Sequence, residues 1–177
     1  VSSCFVVLGR SSRIISVGSD IEDDYASIQQ AINAAEHGDT IIVKAGVYYE
    51  NLVVNKSVLL FGENKQSTIV DGGENAHVVS VEASNVIVSE FTLRNSGIGR
   101  PPHSGVRIFC SHNSLISNNI IVDNEYGVWL SSSNNNTISG NVVAFNDLYG
   151  VRLYRSKNNI LVHNYVVDNE YGVYVYG

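Results

Sequence analysis

The chain has 177 residues, of which 44% are apolar and only 16% are charged, below the roughly 25% charged residues usual in soluble domains. This balance excludes a disordered chain, which needs few apolar and many charged residues. A net charge of −6 argues against a nucleic-acid partner, and no apolar run approaches the roughly 18 residues that a membrane span requires.

The amino-terminal region contains one amphipathic helix. Residues 1–20 are expected to form a tail or a first strand, and a helix is predicted from about Tyr25 to Glu36. Asp24 is a suitable N-cap, and Gly38 is a suitable stop. The apolar stripe of this helix consists of Ile28, Ala31, Ile32 and Ala35. Because a repeat array needs an atypical unit over its open end, we expect the helix to cap the first coil.

Short β-branched runs, separated by Gly, Asn and Asp turns, follow the helix. The predicted strands are Thr40–Val43, Leu52–Val54, Val58–Phe61 and Thr68–Val70. A longer unit, His77–Ser96, precedes an insertion over residues 97–103. The inward-facing residues of that unit are expected to be Val79, Val81, Val88 and Leu93.

The last third of the chain repeats every 22 or 23 residues. The clearest marker is a Gly-Val pair, which begins at Gly105, Gly127, Gly150 and Gly172. Three more sets keep the same step: Asn119, Asn141 and Asn164; Asn124, Asn146 and Asn169; Ser111, Ser133 and Ser156. Alternating apolar residues indicate strands, and three short strands fill each unit. We therefore predict a parallel β-helix of roughly six coils.

Stacking of equivalent residues has two local consequences. Coils lie about 4.8 Å apart, so Asn119, Asn141 and Asn164 are expected to form one hydrogen-bonded asparagine ladder. The glycine of each Gly-Val pair is expected in a tight turn with positive φ. Residues 21–177 then form one β-helix. Its sequence stops within a strand, so we expect truncation of a longer array, with self-association through that end as the alternative.

Three amino-terminal runs carry a family resemblance: Tyr25–Ala35, Gly38–Val43 and Gly46–Asn51. They resemble the cap of pectin-lyase-like proteins, and the later units resemble the repeats of the carbohydrate-binding and sugar-hydrolase group, including NosD-type periplasmic copper proteins. The resemblance covers residues 20–177 and implies an all-β, right-handed, single-stranded parallel β-helix solenoid with an N-terminal capping α-helix. Such proteins include polysaccharide lyases, hydrolases, epimerases and non-catalytic surface modules, so the resemblance leaves function open.

An outward row of aromatic and arginine residues is the main candidate binding surface. Counting from each Gly-Val pair, one exposed column contains Arg107, Trp129, Arg152 and Tyr174. Two residues further on lie Phe109, Tyr154 and Tyr176, with Ser131 in the fourth place, and Tyr126, Tyr149 and Tyr171 edge the same face. Aromatic rings stack on sugar rings, and arginine adds donors and cation–π contacts. Structural cross-strand pairing and a protein-association face are the alternatives.

Turn carboxylates are the candidate catalytic residues. Asp123 and Asp168 share a repeat position two coils apart, about 10 Å, whereas Glu125 and Asp147 occupy adjacent turns, about 5–7 Å apart. Either pair could do acid/base work or bind a cation such as calcium. A solvated polar turn explains the same residues. No cofactor is expected, and nothing else in the sequence supports calcium.

Two of the three side chains that copper prefers, Met and Cys, are absent or scarce in this sequence. Met is absent, and the two cysteines are Cys4, in the N-terminal tail, and Cys110, expected to be a small core or turn residue. The five histidines share no repeat position, and His103 and His112 are the one pair that could approach each other, through the inserted loop. We therefore expect no metal site.

The sequence thus predicts an extracellular, cell-surface or periplasmic module that binds carbohydrate or assembles with like modules, without catalysis. The alternative is a polysaccharide-active enzyme, a lyase, hydrolase or epimerase, that uses the turn carboxylates or the loop of residues 100–103. A NosD-type copper-related protein ranks third. The expected partner is a polysaccharide, with no nucleic acid and no membrane span.

Overall fold

The computed structural model describes residues 11–177 as a right-handed parallel β-helix, and the prediction of this fold is confirmed. Strands that follow one another in the chain pass to successive sheets. The first sheet contains β1 (Ile14–Val17), β2 (Thr40–Val43), β5 (Leu59–Gly62), β8 (Ile87–Ser89), β11 (Leu115–Ser117), β14 (Thr137–Ser139) and β17 (Ile160–Val162). Cys4 and the rest of residues 1–10 lie outside the described residues.

Two further sheets of six strands complete the coils. The second contains β3 (Gly46–Tyr49), β6 (Thr68–Asp71), β9 (Thr92–Arg94), β12 (Ile120–Val122), β15 (Val142–Ala144) and β18 (Tyr165–Val167). The third contains β4 (Leu52–Val54), β7 (Val79–Val81), β10 (Ser104–Phe109), β13 (Tyr126–Ser131), β16 (Tyr149–Tyr154) and β19 (Tyr171–Tyr176). The paired strands of all three sheets run parallel.

The described chain makes six complete three-strand coils, in line with the roughly six predicted, and one extra, partial coil at the amino-terminal end brings the count to about seven turns. The extra coil begins with β1, which pairs with β2 so that Ile14 lies opposite Thr40. Residues 14–17 therefore form a first strand rather than a tail. The strand β3, which begins at Gly46, is absent from the predicted strands.

Inward-facing residues form apolar columns through the coils. Val106, Val128 and Val151 stack in the third sheet, and each is fully buried. Burying apolar area is the main favourable term in folding, and β-branched side chains suit a pleated interior. The predicted inward residues Val79, Val81, Val88 and Leu93 are all buried.

The capping helix α1 (Ile28–Ala34) is shorter than predicted and begins three residues later. Its N-cap is Ser27 and not Asp24, because Asp24 instead accepts hydrogen bonds from the backbone and hydroxyl of Ser16. The Glu50 carboxylate also accepts from the backbone N–H groups of Ile28 and Gln29, which have no partner within the helix. The helix end is thus fixed by a residue one coil away.

The same helix protects an edge of the third sheet. Its buried face, Ile28, Ala31 and Ile32, packs near β1, β2 and β4. The Gln29 side chain accepts from the Val53 N–H and donates to the Val53 carbonyl, in the manner of a neighbouring strand. An unpaired strand edge invites association, and this contact removes it at Val53. Within residues 11–177, no helix has the length and apolar character needed to cross a membrane.

Asparagine ladders run along the coils as predicted. The Asn141 Oδ1 accepts from the backbone N–H and the side-chain amide of Asn119, at 3.0 and 3.1 Å. The Asn141 amide in turn donates to Asn164 Oδ1 at 3.0 Å and to the Ile116 carbonyl at 2.9 Å. A second ladder joins Asn124, Asn146 and Asn169 in the same way. Each buried amide is therefore paired, as burial requires.

The prediction that the repeat glycines have positive φ is wrong. Gly105, Gly127 and Gly150 lie inside strands and are absent from the positive-φ residues. The left-handed turn positions are filled instead by polar residues such as Asn118 and Asp123. These glycines are required because neighbouring coils come too close for a Cβ atom.

Candidate functional site

The outer face of the third sheet brings the predicted arginine and aromatic residues into register. Its middle row, here called the central column, runs through six successive coils. The central column consists of Val53, Ser80, Arg107, Trp129, Arg152 and Tyr174. The parallel pairing places each of these residues directly beside the next, so the sequence count located the column correctly.

Two further rows flank the central column. One contains Phe109, Ser131, Tyr154 and Tyr176, and the other contains Ser104, Tyr126, Tyr149 and Tyr171. The three rows together are called the aromatic face. Phe109 is 39% exposed and Tyr176 is 59% exposed, whereas Tyr126 is only 7% exposed. Burial raises the pKa of Tyr126, which keeps its hydroxyl protonated.

Both arginines of the aromatic face are held between rings. The Arg107 guanidinium lies 4.0 Å from the Phe109 ring centroid and 5.6 Å from that of Trp129. The Arg152 guanidinium lies 5.3 Å from Trp129 on its other side and 5.8 Å from Tyr154. Cation–π attraction at these distances orients each guanidinium before any ligand binds.

The guanidinium groups of these arginines have no hydrogen-bond acceptor within residues 11–177. The Nε atoms of Arg107 and Arg152 and the Trp129 Nε1 are buried without a hydrogen bond. Neither arginine forms a salt bridge in this part of the chain. A buried donor without an acceptor is costly, so the hydrogen-bonding capacity of these side chains is not used within the described chain.

The rings at the other end of the face stack on each other. Tyr149 and Tyr174 are 5.0 Å apart between centroids, and Tyr154 and Tyr176 are 5.8 Å apart and nearly parallel, at 9°. Such pairs stabilise neighbouring strands by about 0.5–1.5 kcal/mol beyond their buried area. Structural pairing therefore accounts for part of the aromatic content and leaves the outward surfaces of these rings available.

A cavity of about 150 Å³ opens beside Arg107 toward the amino-terminal end of the face. The central column contributes Val53, Ser80 and Arg107 to its lining. Asn51, His77 and Glu82 complete the polar part of the wall. Ser80 donates its hydroxyl to the Glu82 carboxylate at 3.0 Å, which leaves the second carboxylate oxygen free of this contact.

The inserted loop of residues 97–103 folds against this end of the face. Its position is fixed by Glu125, whose carboxylate accepts from the backbone N–H groups of Gly99 and His103. His103 lies beside His77, with ring centroids 5.1 Å apart. The prediction that only His103 and His112 could approach each other is wrong, because His103 contacts His77 and His112 accepts from the Asn134 N–H in another turn.

His77 is kept neutral by its surroundings. Burial lowers its pKa to about 4, and the nearby positive charges of Arg107 and His103 act in the same direction. The Ser104 N–H donates to His77 Nδ1 at 3.0 Å, so the proton of the neutral ring lies on Nε2. The imidazole therefore presents an N–H donor at neutral pH.

This pKa predicts an acid-dependent loss of stability. Between pH 6.5 and about 4 the unfolded chain protonates His77 while the folded chain does not, so the free energy of unfolding falls as the pH falls. Because the ring keeps partial contact with water, we expect a loss of about 1 kcal/mol. Urea denaturation at several pH values should show that His77→Gln removes this loss. His163→Gln, at an exposed histidine, should retain it.

The four predicted catalytic carboxylates lie in the turns that lead from the second sheet to the third, on successive coils. Asp123 and Asp168 are exposed in left-handed turns, with Phe145 in the same turn position between them. Asp147 is also exposed, while Glu125 holds the inserted loop. A catalytic role for these four residues stays a prediction. Cys110 is an exposed turn residue with positive φ, one of its two predicted placements.

Comparison with known families shows to which family the repeating coils belong. A family profile described as "Periplasmic copper-binding protein (NosD)" matches residues 32–177, which is most of the chain. The chain belongs to the NosD family. The NosD family is described as periplasmic, and the predicted location outside the cytoplasm is confirmed at that level.

Other similar proteins have names that refer to pectin and alginate. A probable pectinesterase/pectinesterase inhibitor 6 from Arabidopsis thaliana is 34% identical over 110 residues, 52% of this NosD-family chain and 20% of the plant protein. Carrot pectin methylesterase has a TM-score of 0.66 at 19% identity, over 90% of this chain and 54% of that enzyme. An alginate lyase from a Paenibacillus species has a TM-score of 0.52 at 12% identity, over 89% and 80% of the two chains. These structural likenesses support the fold.

The described residues of this NosD-family chain do not form a copper site. Copper prefers His, Cys and Met ligands, and no group of three or more His, Cys, Asp or Glu side chains suited to a metal lies within residues 11–177. His77 and His103 are adjacent, but the Nδ1 of His77 is occupied by the Ser104 N–H. Cys110 lies in a separate turn, and the sequence has no Met.

Sequence reasoning missed the amino-terminal part of the site. The register of Ser80 with Arg107 follows from the inward assignment of Val79 and Val81, so this contact was within reach. The contact between His77 and His103 could not be predicted, because the insertion between β9 and β10 breaks the repeat and the repeat therefore says nothing about the path of the inserted loop.

Proposed function

We propose that this chain is an exported β-helix module that binds an acidic polysaccharide along the aromatic face without altering it. The observation that carries this proposal is the pair Arg107 and Arg152, each held between aromatic rings and lacking an anionic partner within the described chain. Arginine binds carboxylates through two parallel hydrogen bonds, while rings stack on the apolar faces of sugars.

The net charge supports a specific role for these two cations. A net charge of −6 is already enough to keep a chain of this size soluble. Solubility therefore does not explain why two arginines without anionic partners lie between aromatic rings on one face. The proteins named above also suit this ligand, since pectin and alginate are both acidic polysaccharides. One solved pectin methylesterase with a TM-score of 0.57 is a complex with a hexasaccharide.

The proposal predicts a loss of binding when the central ring is removed. Trp129→Ala should weaken the affinity for an acidic polysaccharide at least tenfold, because Trp129 lies between both arginines and is in the middle of the column. Affinity electrophoresis in gels containing polygalacturonate or alginate measures this. Phe145→Ala, which removes an exposed ring on a different face, is the matched control. Unchanged retention of Trp129→Ala would contradict the proposal.

The second candidate function is a polysaccharide-active enzyme, favoured by the names of the similar proteins. It would use Asp123, Glu125, Asp147 or Asp168 as acid or base. Incubation with methyl-esterified pectin, polygalacturonate and alginate distinguishes the two functions. Released methanol, unsaturated ends or new reducing ends would establish an enzyme and overturn the non-catalytic proposal.

A further inference from the structure

We infer that the bound glycan lies along the solenoid axis with one sugar residue per coil, and that its anionic groups occur on every second residue. This inference rests on the proposed binding of an acidic polysaccharide and adds the charge pattern of that ligand. It follows from the order of side chains in the central column.

The spacing of the coils sets the scale of recognition. Neighbouring strands in a parallel sheet lie about 4.8 Å apart, and an extended glycan advances by a similar distance for each pyranose residue. Because the central column is in register across successive coils, each of its side chains can contact a different sugar residue.

The central column alternates between cations and rings. Arg107 and Arg152 lie two coils apart, about 10 Å, with Trp129 between them and Tyr174 on the next coil. A guanidinium fork fits a carboxylate or sulfate, whereas an indole or phenol ring fits the uncharged face of a pyranose. Anionic groups on alternate residues satisfy both arginines and place no charge on either ring.

The coil before Arg107 continues the alternation. The cavity there contains Ser80 and the Glu82 carboxylate, which repels an anionic group and accepts hydrogen bonds from sugar hydroxyls. Its volume of about 150 Å³ is below the ~300 Å³ of the smallest common ligand pockets, so it suits a single sugar ring. From the coil of Ser80 to the coil of Tyr174, five successive coils thus form binding sites for neutral, acidic, neutral, acidic and neutral sugar residues, in that order.

Calorimetric titration with three hexasaccharides tests this pattern. The probes are a hyaluronan hexasaccharide, with a carboxylate on every second residue, hexagalacturonate, with one on every residue, and cellohexaose, with none. We expect the hyaluronan hexasaccharide to bind at least tenfold more tightly than hexagalacturonate, and cellohexaose to bind most weakly. Equal or tighter binding of hexagalacturonate would overturn the alternating pattern and leave acidic-polysaccharide binding intact. If neither acidic probe binds, the proposed function itself fails.

Two sets of variants separate charge pattern from general attraction. Arg107→Gln and Arg152→Gln should each weaken binding of the hyaluronan hexasaccharide about tenfold, whereas Lys157→Gln, which removes the same charge from an exposed turn, should not. Trp129→Arg should create three consecutive cations and shift the preference toward hexagalacturonate. An unchanged preference in a Trp129→Arg protein that retains its thermal unfolding transition would overturn the inference.

Discussion

Replacing Asn141 by leucine is expected to lower the free energy of unfolding by about 3–5 kcal/mol. The two side chains are similar in size, so the effect comes from hydrogen bonding and not from a cavity. The substitution removes the acceptor of the Asn119 N–H and the donor to the Ile116 carbonyl, both of which remain buried. A buried polar group left without a partner costs about 1–3 kcal/mol, and several are stranded here.

Urea denaturation followed by the fluorescence of Trp129 measures this loss. Asn55→Leu is the matched control, because Asn55 is exposed in the turn after β4 and the same chemical change strands no buried group there. We expect the control to alter the unfolding free energy by less than about 0.5 kcal/mol. If Asn141→Leu is as stable as the control, the ladder contributes no more than a solvated amide.

Replacing Gly127 by alanine is expected to destabilise the fold by about 3 kcal/mol. A Cβ atom at this position would lie 2.5 Å from the Gly150 carbonyl oxygen and 3.0 Å from the Asn146 side-chain amide, and it would also meet the Val143 side chain. Gly127 is in β13, which is paired on both sides, so neither neighbouring strand can move away without losing its register.

Gly172→Ala provides the control within the same repeat. Gly172 occupies the equivalent position in the last coil of the chain, where no atom lies within 4 Å of the added Cβ. Its φ is not in the left-handed region, so alanine should leave stability unchanged or raise it by about 0.5 kcal/mol through the unfolded state. Equal destabilisation by both substitutions would show that backbone freedom, and not space, requires these glycines.

Two of the three interpretations of the aromatic face that the sequence left open, structural pairing and ligand binding, concern different residues of that face. Tyr154 and Tyr176 stack nearly in parallel, which is structural pairing. Arg107 and Arg152 contact rings but have no hydrogen-bond acceptor within residues 11–177, which favours a ligand. The third interpretation, assembly with like modules, stays a prediction, and it would be indicated if Trp129→Ala changed the oligomeric state but not glycan retention.

The sequence by itself determined the coil, the ladders and the central column. A repeat of 22 or 23 residues returns each residue to the position above its equivalent, so Asn141 and Trp129 could be placed by counting alone. Helix boundaries were less accurate, because the true N-terminal partner of α1 is Glu50, a residue outside the helix and one coil away. Local helix signals favoured Asp24, and only the packed coil shows that Ser16 engages it.

Only the tertiary structure decided the role of the repeat glycines and the amino-terminal end of the site. A glycine repeated at fixed spacing is compatible with a turn or with close packing, and distances between coils are needed to distinguish them. The inserted loop follows no repeat, so the contacts of His103 with His77 and Glu125 depend on how that loop folds back. Contacts between equivalent residues of the repeat can be predicted from their spacing in the sequence, because the backbone geometry is the same in every coil. Contacts made by a non-repeating segment depend on the three-dimensional surface against which it packs.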